Sequence, residues 1–311
     1  MYDPGVGSNL AILSGRADEY RALVAAAGLP GLDRIRTAPA PDCDVALGEP
    51  HLLRDALGAL PGLRWAQCTW AGVEPLLDPA LRRDYALTNA RGVFGAQVAE
   101  YVFAHLLFVE RRIAERLAAQ RAERWDRSPP GALRGKTMGL LGVGSIGAEL
   151  AATARRFGMT VLGYTRASAG CAEVDRYFHG DGLVELARAA DVLVNTLPGT
   201  PATRGIVGAE LLAALKRGAW LVNVGRGDAV DEPALIRALE EGALGGAILD
   251  VAAEEPLPAG HPLWRAPNAF VTCHTAALTD PAEIARLFAA NWGRYLRGEP
   301  LRWVVDFERG Y

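Results

Sequence analysis

The sequence predicts an α/β protein built on parallel sheets, on three observations. Short apolar runs bounded by turn signals alternate with stretches of helical periodicity along most of the 311 residues. A glycine-rich turn, Gly142-Val143-Gly144-Ser145-Ile146-Gly147, follows one such run and opens one such helix. Arg226, Glu255 and His274 each stand just past the end of a further apolar run. In open α/β sheets ligands gather outside the carboxyl ends of the strands, so the last two observations locate a ligand site as well as a fold.

The elements follow in order. Leu10–Leu13 reads as a strand, and Asp18 to Ala27 as a helix ended by Gly28. Asp44–Leu47, Leu63–Ala66 and Tyr85–Thr88 are further strands of the same layer. The rhythm then changes: Val98, Tyr101, Val102, His105, Leu106, Val109, Ile113 and Leu117 recur at helical spacing. One long helix from near Gln97 to near Ala122 is expected, with an apolar face wide enough to lie between domains or between subunits. A homodimer built on that helix is the expected assembly. A second series supplies strands Thr137–Leu141, Thr160–Tyr164, Val192–Thr196, Trp220–Val224, Gly246–Asp250 and Ala269–Cys273. Thr279-Asp280-Pro281 starts a last helix, proline falling in its first turn, which runs to about Arg297 and stops at Gly298. The expected organisation is a substrate domain over 1–96, a dinucleotide-binding domain over 97–278, and a tail, 279–311, returning to the first domain.

Composition narrows the partners. Half of the residues are hydrophobic, 22% are charged, and the net charge is −3 with no basic stripe, so neither nucleic acid nor an acidic membrane surface is an expected partner. Met1-Tyr2-Asp3-Pro4-Gly5 has neither the basic start nor the apolar core of a secretory leader. Cys43, Cys68, Cys171 and Cys273 are far apart and lack metal-ligand spacing, so reduced thiols in a cytoplasm, and no metal, are expected.

With 35 glycines in the chain, a lone G-x-G-x-x-G means little; Gly5-Val6-Gly7-Ser8-Asn9-Leu10 nearly matches it with no such context. Context decides for Gly142, Gly144 and Gly147. A strand precedes them, and Ile146, Leu150, Ala151 and Ala154 give the following helix one apolar face until Gly158. Such a turn lets backbone approach a pyrophosphate held at a helix N-terminus, and the second series is therefore expected to be a Rossmann-type doubly wound parallel sheet. Cofactor choice is read at the end of the next strand, about 20 residues on, where an acid would bind the ribose 2′-hydroxyl of NAD. Tyr164-Thr165-Arg166-Ala167-Ser168 has none. Arg166 is placed to clamp a 2′-phosphate with Ser168 as a second donor, so NADP(H) is expected ahead of NAD(H). The alternative is a solvated surface arginine.

A lone histidine is more often structural than catalytic, and His51, His105, His179 and His261 have such explanations. His274 stands apart through its neighbours at strand ends. Imidazole titrates near pH 6.5, suited to a general acid or base. Glu255 is placed to favour and orient the imidazolium. Arg226, flanked by Gly225 and Gly227, offers a planar fork that matches a carboxylate; otherwise it is a surface ion pair. Asp250 either accepts from a carboxamide or caps a turn.

These residues together identify a resemblance. Over nearly its full length the chain resembles the D-isomer-specific 2-hydroxyacid dehydrogenases. The stretches that carry it are Gly142–Gly147, Asn195-Thr196-Leu197-Pro198-Gly199-Thr200-Pro201, Val222–Glu232, Leu249–Val251 through Glu255-Pro256-Leu257, and His261-Pro262-Leu263-Trp264 up to His274. The resemblance implies a smaller flavodoxin-like α/β substrate domain beside the cofactor domain. It implies Arg226 as the substrate-orienting residue, Glu255 as the partner of the histidine, His274 as acid/base and Asp250 as a nicotinamide-side aspartate. It matches Trp70-Ala71-Gly72-Val73 to the loop whose amides receive the substrate carboxylate. Ser145, Ile146, Thr165, Leu197, Pro198 and Val224 fall at cofactor-contact positions. The loop Gly92–Gln97 with Val98–Tyr101, and the arginine after the second strand, look most like the glyoxylate/hydroxypyruvate reductase branch, which implies a short 2-oxoacid as substrate. The chain departs from the family at Cys273, where proline usually precedes the histidine, and at Ala252, where an aromatic often follows Asp-Val. The alternatives are a phosphoglycerate-type enzyme, disfavoured because nothing after the tail helix forms a regulatory domain, and a catalytically idle NAD(P)H-sensing protein like the corepressors that share this fold.

Overall fold

The computed structural model describes residues 7–311; the Met1–Gly5 opening discussed above lies outside them. In chain order the elements are β1 (Ser8–Leu13), α1 (Ala17–Ala26), β2 (Leu32–Arg36), β3 (Val45–Gly48), α2 (Pro50–Ala56), β4 (Trp65–Cys68), β5 (Ala86–Thr88), α3 (Gly95–Glu110) and α4 (Ile113–Arg121). There follow β6 (Thr137–Leu141), α5 (Ser145–Arg156), β7 (Thr160–Tyr164), β8 (Arg176–Phe178), α6 (Leu183–Ala189), β9 (Val192–Asn195) and α7 (Ala209–Ala214). The last are β10 (Trp220–Asn223), α8 (Glu232–Glu240), β11 (Gly246–Leu249), β12 (Ala269–Val271) and α9 (Pro281–Leu296). The described chain divides into two compact units, residues 7–93 with Thr279–Tyr311, and Phe94–Leu278.

The first unit is a five-stranded parallel sheet in the order β2-β1-β3-β4-β5, the flavodoxin-like winding. Its centre strands are fully buried: Val45–Gly48 and Trp65–Cys68 have no exposed residue. Helix α9 belongs to this unit. Asp280 caps it by accepting from the Ala282 N–H, and Gly298, at φ 65, ends it. Its Phe288 ring stacks on Trp65 of β4 at 4.9 Å, and Trp292 Nε1 donates to the Pro30 carbonyl. Beyond the helix, the Val305 N–H donates to the Leu87 carbonyl, and Val304 bridges Thr88 antiparallel.

The second unit is a seven-stranded, all-parallel sheet in the order β12-β11-β10-β9-β6-β7-β8. Helices cover both faces, so successive strand residues enter opposite cores. Leu141, Leu193, Leu221, Ala247 and Leu249 pack on the side of α6, α7 and α8. Leu140, Val192, Val194, Val222 and Ile248 pack on the side of α3 and α5. Burial on both faces is the reason these strands read as unbroken apolar runs. The chain winds outward from β6 through β7 to β8, then crosses back to β9, so the direction switches between β6 and β9.

Two features differ from expectation. Strands β2 and β8 are additional, and both are edge strands; Leu32-Asp33-Arg34-Ile35-Arg36 and Arg176-Tyr177-Phe178 carry the charges that edges tolerate and apolar-run reading passes over. The expected single helix from Gln97 to Ala122 is two helices. α3 ends where the Arg111 and Arg112 N–H groups bond back to Leu107 and Val109, and Arg112 turns left-handed at φ 55. Its apolar face is spent within its own unit, where Val98, Val102, Phe103 and Leu106 are buried. In α4 only Ala119 is buried, and Ile113 and Leu117 stay exposed, as does Trp125. The near-match to the glycine motif has its Ser8–Leu10 part in strand β1, while Gly5 and Val6 lie outside the described residues. Among the described residues no helix is long and apolar enough to cross a membrane.

Candidate functional site

At the switch point of the second sheet the chain leaves β6 through the glycine turn. Gly142 sits at φ 92, open to glycine and strained for other residues. A Cβ on Gly147 would lie 2.4 Å from the Gly142 carbonyl oxygen, so helix α5 can pack on the turn only with glycine there. Gly144 is the N-cap of α5, and no side chain caps it. The positive end of this twelve-residue helix thus lies beside Gly142 and Gly144, which carry no side chain. Across the switch, Thr196 Oγ1 donates to the Gly142 carbonyl at 2.9 Å, tying the β9 end to the turn. Gly225 packs equally close: its Cβ would meet the Leu197 carbonyl at 2.8 Å. Leu197 is brought to the turn as well, its Cδ2 3.2 Å from where a Cβ on Gly142 would lie; Pro198 adjoins it in the chain, and Val224 adjoins Gly225. These residues fit a pyrophosphate held at the start of α5.

Thr165, Arg166 and Ser168 leave the end of β7. Thr165 is buried, Arg166 and Ser168 are exposed, and Thr165 Oγ1 donates to the Ser168 carbonyl.

The ends of β10, β11 and β12 carry the ionisable set. Asn195 and Asn223, both buried, bond side chain to side chain at 2.9 Å, and Asn223 Nδ2 donates to the Arg226 carbonyl at 2.9 Å. That fixes the backbone of the half-buried Arg226, whose guanidinium Nη1 donates to the Gly225 carbonyl. Gly227 lies against the neighbouring loop; a Cβ there would be 1.9 Å from the Ala252 carbonyl. The same loop carries Glu255. The Ala252 N–H donates to Glu255 Oε1 at 3.1 Å, and the Ala253 N–H donates to the buried carboxylate of Glu232 at 2.8 Å. Glu255 Oε2 then lies 2.9 Å from His274 Nδ1. A carboxylate only accepts, so Nδ1 carries the proton and Nε2 is left for other partners. The two side chains remain 40% and 55% exposed, so the pair is accessible as well as ordered.

His274 stands in the left-handed region at φ 55, a conformation that costs a non-glycine residue about 1–3 kcal/mol unless its surroundings impose it. Asp250 imposes it. Its carbonyl accepts from the His274 N–H, and its carboxylate accepts from the Thr275 and Ala276 N–H groups and from Thr272 Oγ1. Tyr101 of α3 reaches the same network through Thr272 Oγ1 at 2.8 Å. Burial, ahead of the nearby Asp250 carboxylate, pushes the Tyr101 phenol up to about 12, which keeps it neutral. Of the two readings of Asp250, the structure displays the turn cap. Glu232 and Tyr101 entered the sequence reading only as members of family-like stretches and, for Tyr101, of a helical face, and Thr272 only as part of a strand; none was singled out as a site residue.

In the first unit, the loop after β4 holds Trp70, Ala71, Gly72 and Val73. Asn89 Nδ2 donates to the Ala71 carbonyl and the Ala90 N–H donates to that of Trp70, while Val73 is buried. Trp70 is exposed and packs on His51 with ring centroids 5.4 Å apart. Among the described residues no group of three or more His, Cys, Asp or Glu is placed to hold a metal ion.

The family model for the D-isomer specific 2-hydroxyacid dehydrogenase NAD binding domain matches residues 103–276. Among curated relatives, glyoxylate/hydroxypyruvate reductase A of Escherichia fergusonii is 36% identical over 248 residues, covering 78% of this chain and 80% of that one. A D-isomer specific 2-hydroxyacid dehydrogenase family protein from Aeromonas salmonicida has a similar structure, with a TM-score of 0.88 at 39% identity, over 96% of this chain and 99% of that one. A D-isomer specific 2-hydroxyacid dehydrogenase from Xanthobacter autotrophicus Py2, solved with NADPH and MES, has a TM-score of 0.88 at 34% identity, over 98% and 100%. A match over more than half of the chain, reinforced by relatives of this identity and coverage, is decisive: the chain belongs to the D-isomer specific 2-hydroxyacid dehydrogenase family.

Proposed function

We propose that this NAD(P)-dependent dehydrogenase reduces glyoxylate to glycolate or hydroxypyruvate to D-glycerate, with NADPH preferred over NADH. The observation that carries the reading is the Glu255–His274 pair at 2.9 Å, set at a strand end beside the Arg226 loop. The relative from Escherichia fergusonii bears the name of that activity, and the Xanthobacter structure contains NADPH.

The nicotinamide cofactor supplies the hydride when bound. His274 supplies the proton: with Nδ1 engaged by Glu255, the imidazolium donates from Nε2 to the oxygen of the reduced carbonyl. Glu255, accepting from Nδ1, fixes the tautomer and keeps the ring from rotating. Arg226 holds the carboxylate and draws charge onto the carbonyl oxygen. Amides of the Trp70–Val73 loop are a second proposed contact for a carboxylate oxygen. Gly142 to Gly147 receive the pyrophosphate, bordered by Leu197, Pro198 and Val224, and Arg166 with Ser168 receives the 2′-phosphate. Asp250 serves this site by holding the His274 turn.

A homodimer fits the exposed Ile113, Leu117 and Trp125 on and after α4, and a cytoplasmic setting fits four free cysteines. The idle-sensor alternative is separated by turnover. The test is a panel of glyoxylate, hydroxypyruvate, pyruvate, phenylpyruvate and 2-ketoisocaproate, each with NADPH and NADH. Highest kcat/KM for glyoxylate and hydroxypyruvate with NADPH is expected; absence of turnover with every pair would overturn the reading.

A further inference from the structure

Strands β7 and β8 end side by side, with Tyr164 opposite Phe178. One more ladder bond follows, from the Thr165 N–H to the Phe178 carbonyl. Beyond it the exposed segment 166–170 has no strand to lean on, because β8 is the last strand of the sheet. Side chains take over. Thr165 Oγ1 closes the turn onto the Ser168 carbonyl at 2.5 Å. Tyr164 Oη donates to the Gly180 carbonyl at 3.0 Å. The third bond comes from His179, the first residue after β8. Its Nδ1 lies 2.8 Å from the Thr165 carbonyl oxygen and 3.2 Å from Thr165 Oγ1. A carbonyl only accepts, so Nδ1 carries hydrogen and donates it. The imidazole also lies parallel to Tyr177, with centroids 6.3 Å apart and planes 11° apart, which fixes its orientation.

We propose that His179 is a positioning residue for cofactor discrimination: by holding the Thr165 carbonyl it fixes the turn from which Arg166 meets a ribose 2′-phosphate. The inference rests on the NADPH reading given above. A guanidinium paired bidentately with a phosphate rewards alignment of both partners. A turn freed at its first carbonyl presents Arg166 in many orientations, and the entropy of ordering it then falls on NADPH binding. NADH offers no 2′-phosphate and gains little from that order.

The test compares His179→Ala, His179→Asn and His179→Gln, with Michaelis constants for NADPH and NADH measured separately at saturating glyoxylate. Loss of one net hydrogen bond should raise the NADPH constant by roughly 2–10-fold in His179→Ala, with the NADH constant moving less and turnover holding. His179→Asn keeps a nitrogen donor on the γ carbon, where Nδ1 sits, and should restore the NADPH constant. His179→Gln carries its nitrogen one atom further out and should not. Adding His179→Ala to Arg166→Ala should have no further effect on NADPH, because the two act through one contact. Equal rises for both cofactors, or a rise that persists undiminished without Arg166, would overturn the inference and make His179 a prop for the sheet edge. An NADPH preference untouched by His179→Ala overturns it while the cofactor reading stands. No NADPH preference in the wild type, with Arg166→Ala equally silent, overturns both.

Discussion

The backbone N–H of His274 donates to the Asp250 carbonyl at 2.8 Å, and the next two N–H groups close on the Asp250 carboxylate at 2.8 and 2.9 Å. One buried aspartate thus dictates the turn that aims the imidazole. Asn in its place keeps one oxygen but turns the other acceptor into a donor facing the Ala276 or Thr275 N–H. An unsatisfied buried donor costs about 1–3 kcal/mol, so Asp250→Asn should lose stability of that order and also lose turnover through a misdirected histidine. Denaturant unfolding and kcat, measured together, check this; unchanged values of both would remove Asp250 from the positioning role.

His274 itself separates chemistry from conformation. His274→Ala and His274→Gly both remove the proton donor and should both lose about 10²–10⁴-fold in turnover. They should differ in stability. At φ 55 alanine retains the left-handed cost and glycine does not, a difference of roughly 1–2 kcal/mol in favour of glycine. Equal melting temperatures for the two variants would contradict the strained turn.

Glu255→Gln replaces the carboxylate on His274 Nδ1 with a neutral amide. The amide no longer requires the proton on Nδ1, so the ring is free to turn or change tautomer and Nε2 is no longer held ready to donate. Glu255→Gln should lower kcat, by less than the roughly 10²–10⁴-fold of removing the acid itself, with substrate binding by Arg226 largely kept. Unchanged kcat in the variant would show that Glu255 does not govern the histidine.

Alkaline stability is a further handle. In the first unit Tyr85 and Tyr295 are pushed up to about 12, burial being the largest cause, with the Cys68 thiol adding for Tyr85 and the Asp44 carboxylate for Tyr295. Burial raises Tyr20 further still, with Glu49 adding to it. These phenols ionise later in the folded chain than in the unfolded one, where the ordinary value is about 10. Their contribution is therefore complete below pH 10 and is lost as pH rises from about 10 towards 12. Urea midpoints should fall through that window, with phenolate absorbance of the buried tyrosines appearing only on unfolding. Full phenolate absorbance near pH 10 in a still-folded protein would contradict their burial.

What was legible in the chain is what burial enforces. Strands packed on both faces must be apolar throughout, so β6, β9, β10 and β11 stand out, and the strand-end rule then draws attention to Arg226, Glu255 and His274. Elements that solvent shares were not legible. Leu32–Arg36 is a strand through pairing with β1, a long-range fact that its charges conceal. The α3–α4 break falls at Arg111-Arg112, where no proline or glycine announces it. At the site, the side chains that hold others in place were harder still. Tyr101 and Thr272 reach Asp250 from sequence positions 149 residues before and 22 residues after it, and no local pattern encodes that meeting.

The aromatic stack of Trp65 against Phe288, with Trp292 and Tyr295 beside it, has a bearing on synthesis. The first unit joins two segments that flank the second, residues 7–93 and Thr279–Tyr311, so its sheet leaves the ribosome before the helix that covers Trp65. The second unit is continuous and can close as soon as its last strand is free. Birth order and folding order are thereby inverted: the first unit's sheet waits, with an open aromatic face, until α9 has been translated. Chains released before α9 should keep a folded cofactor-binding half and present the other to chaperones and proteases.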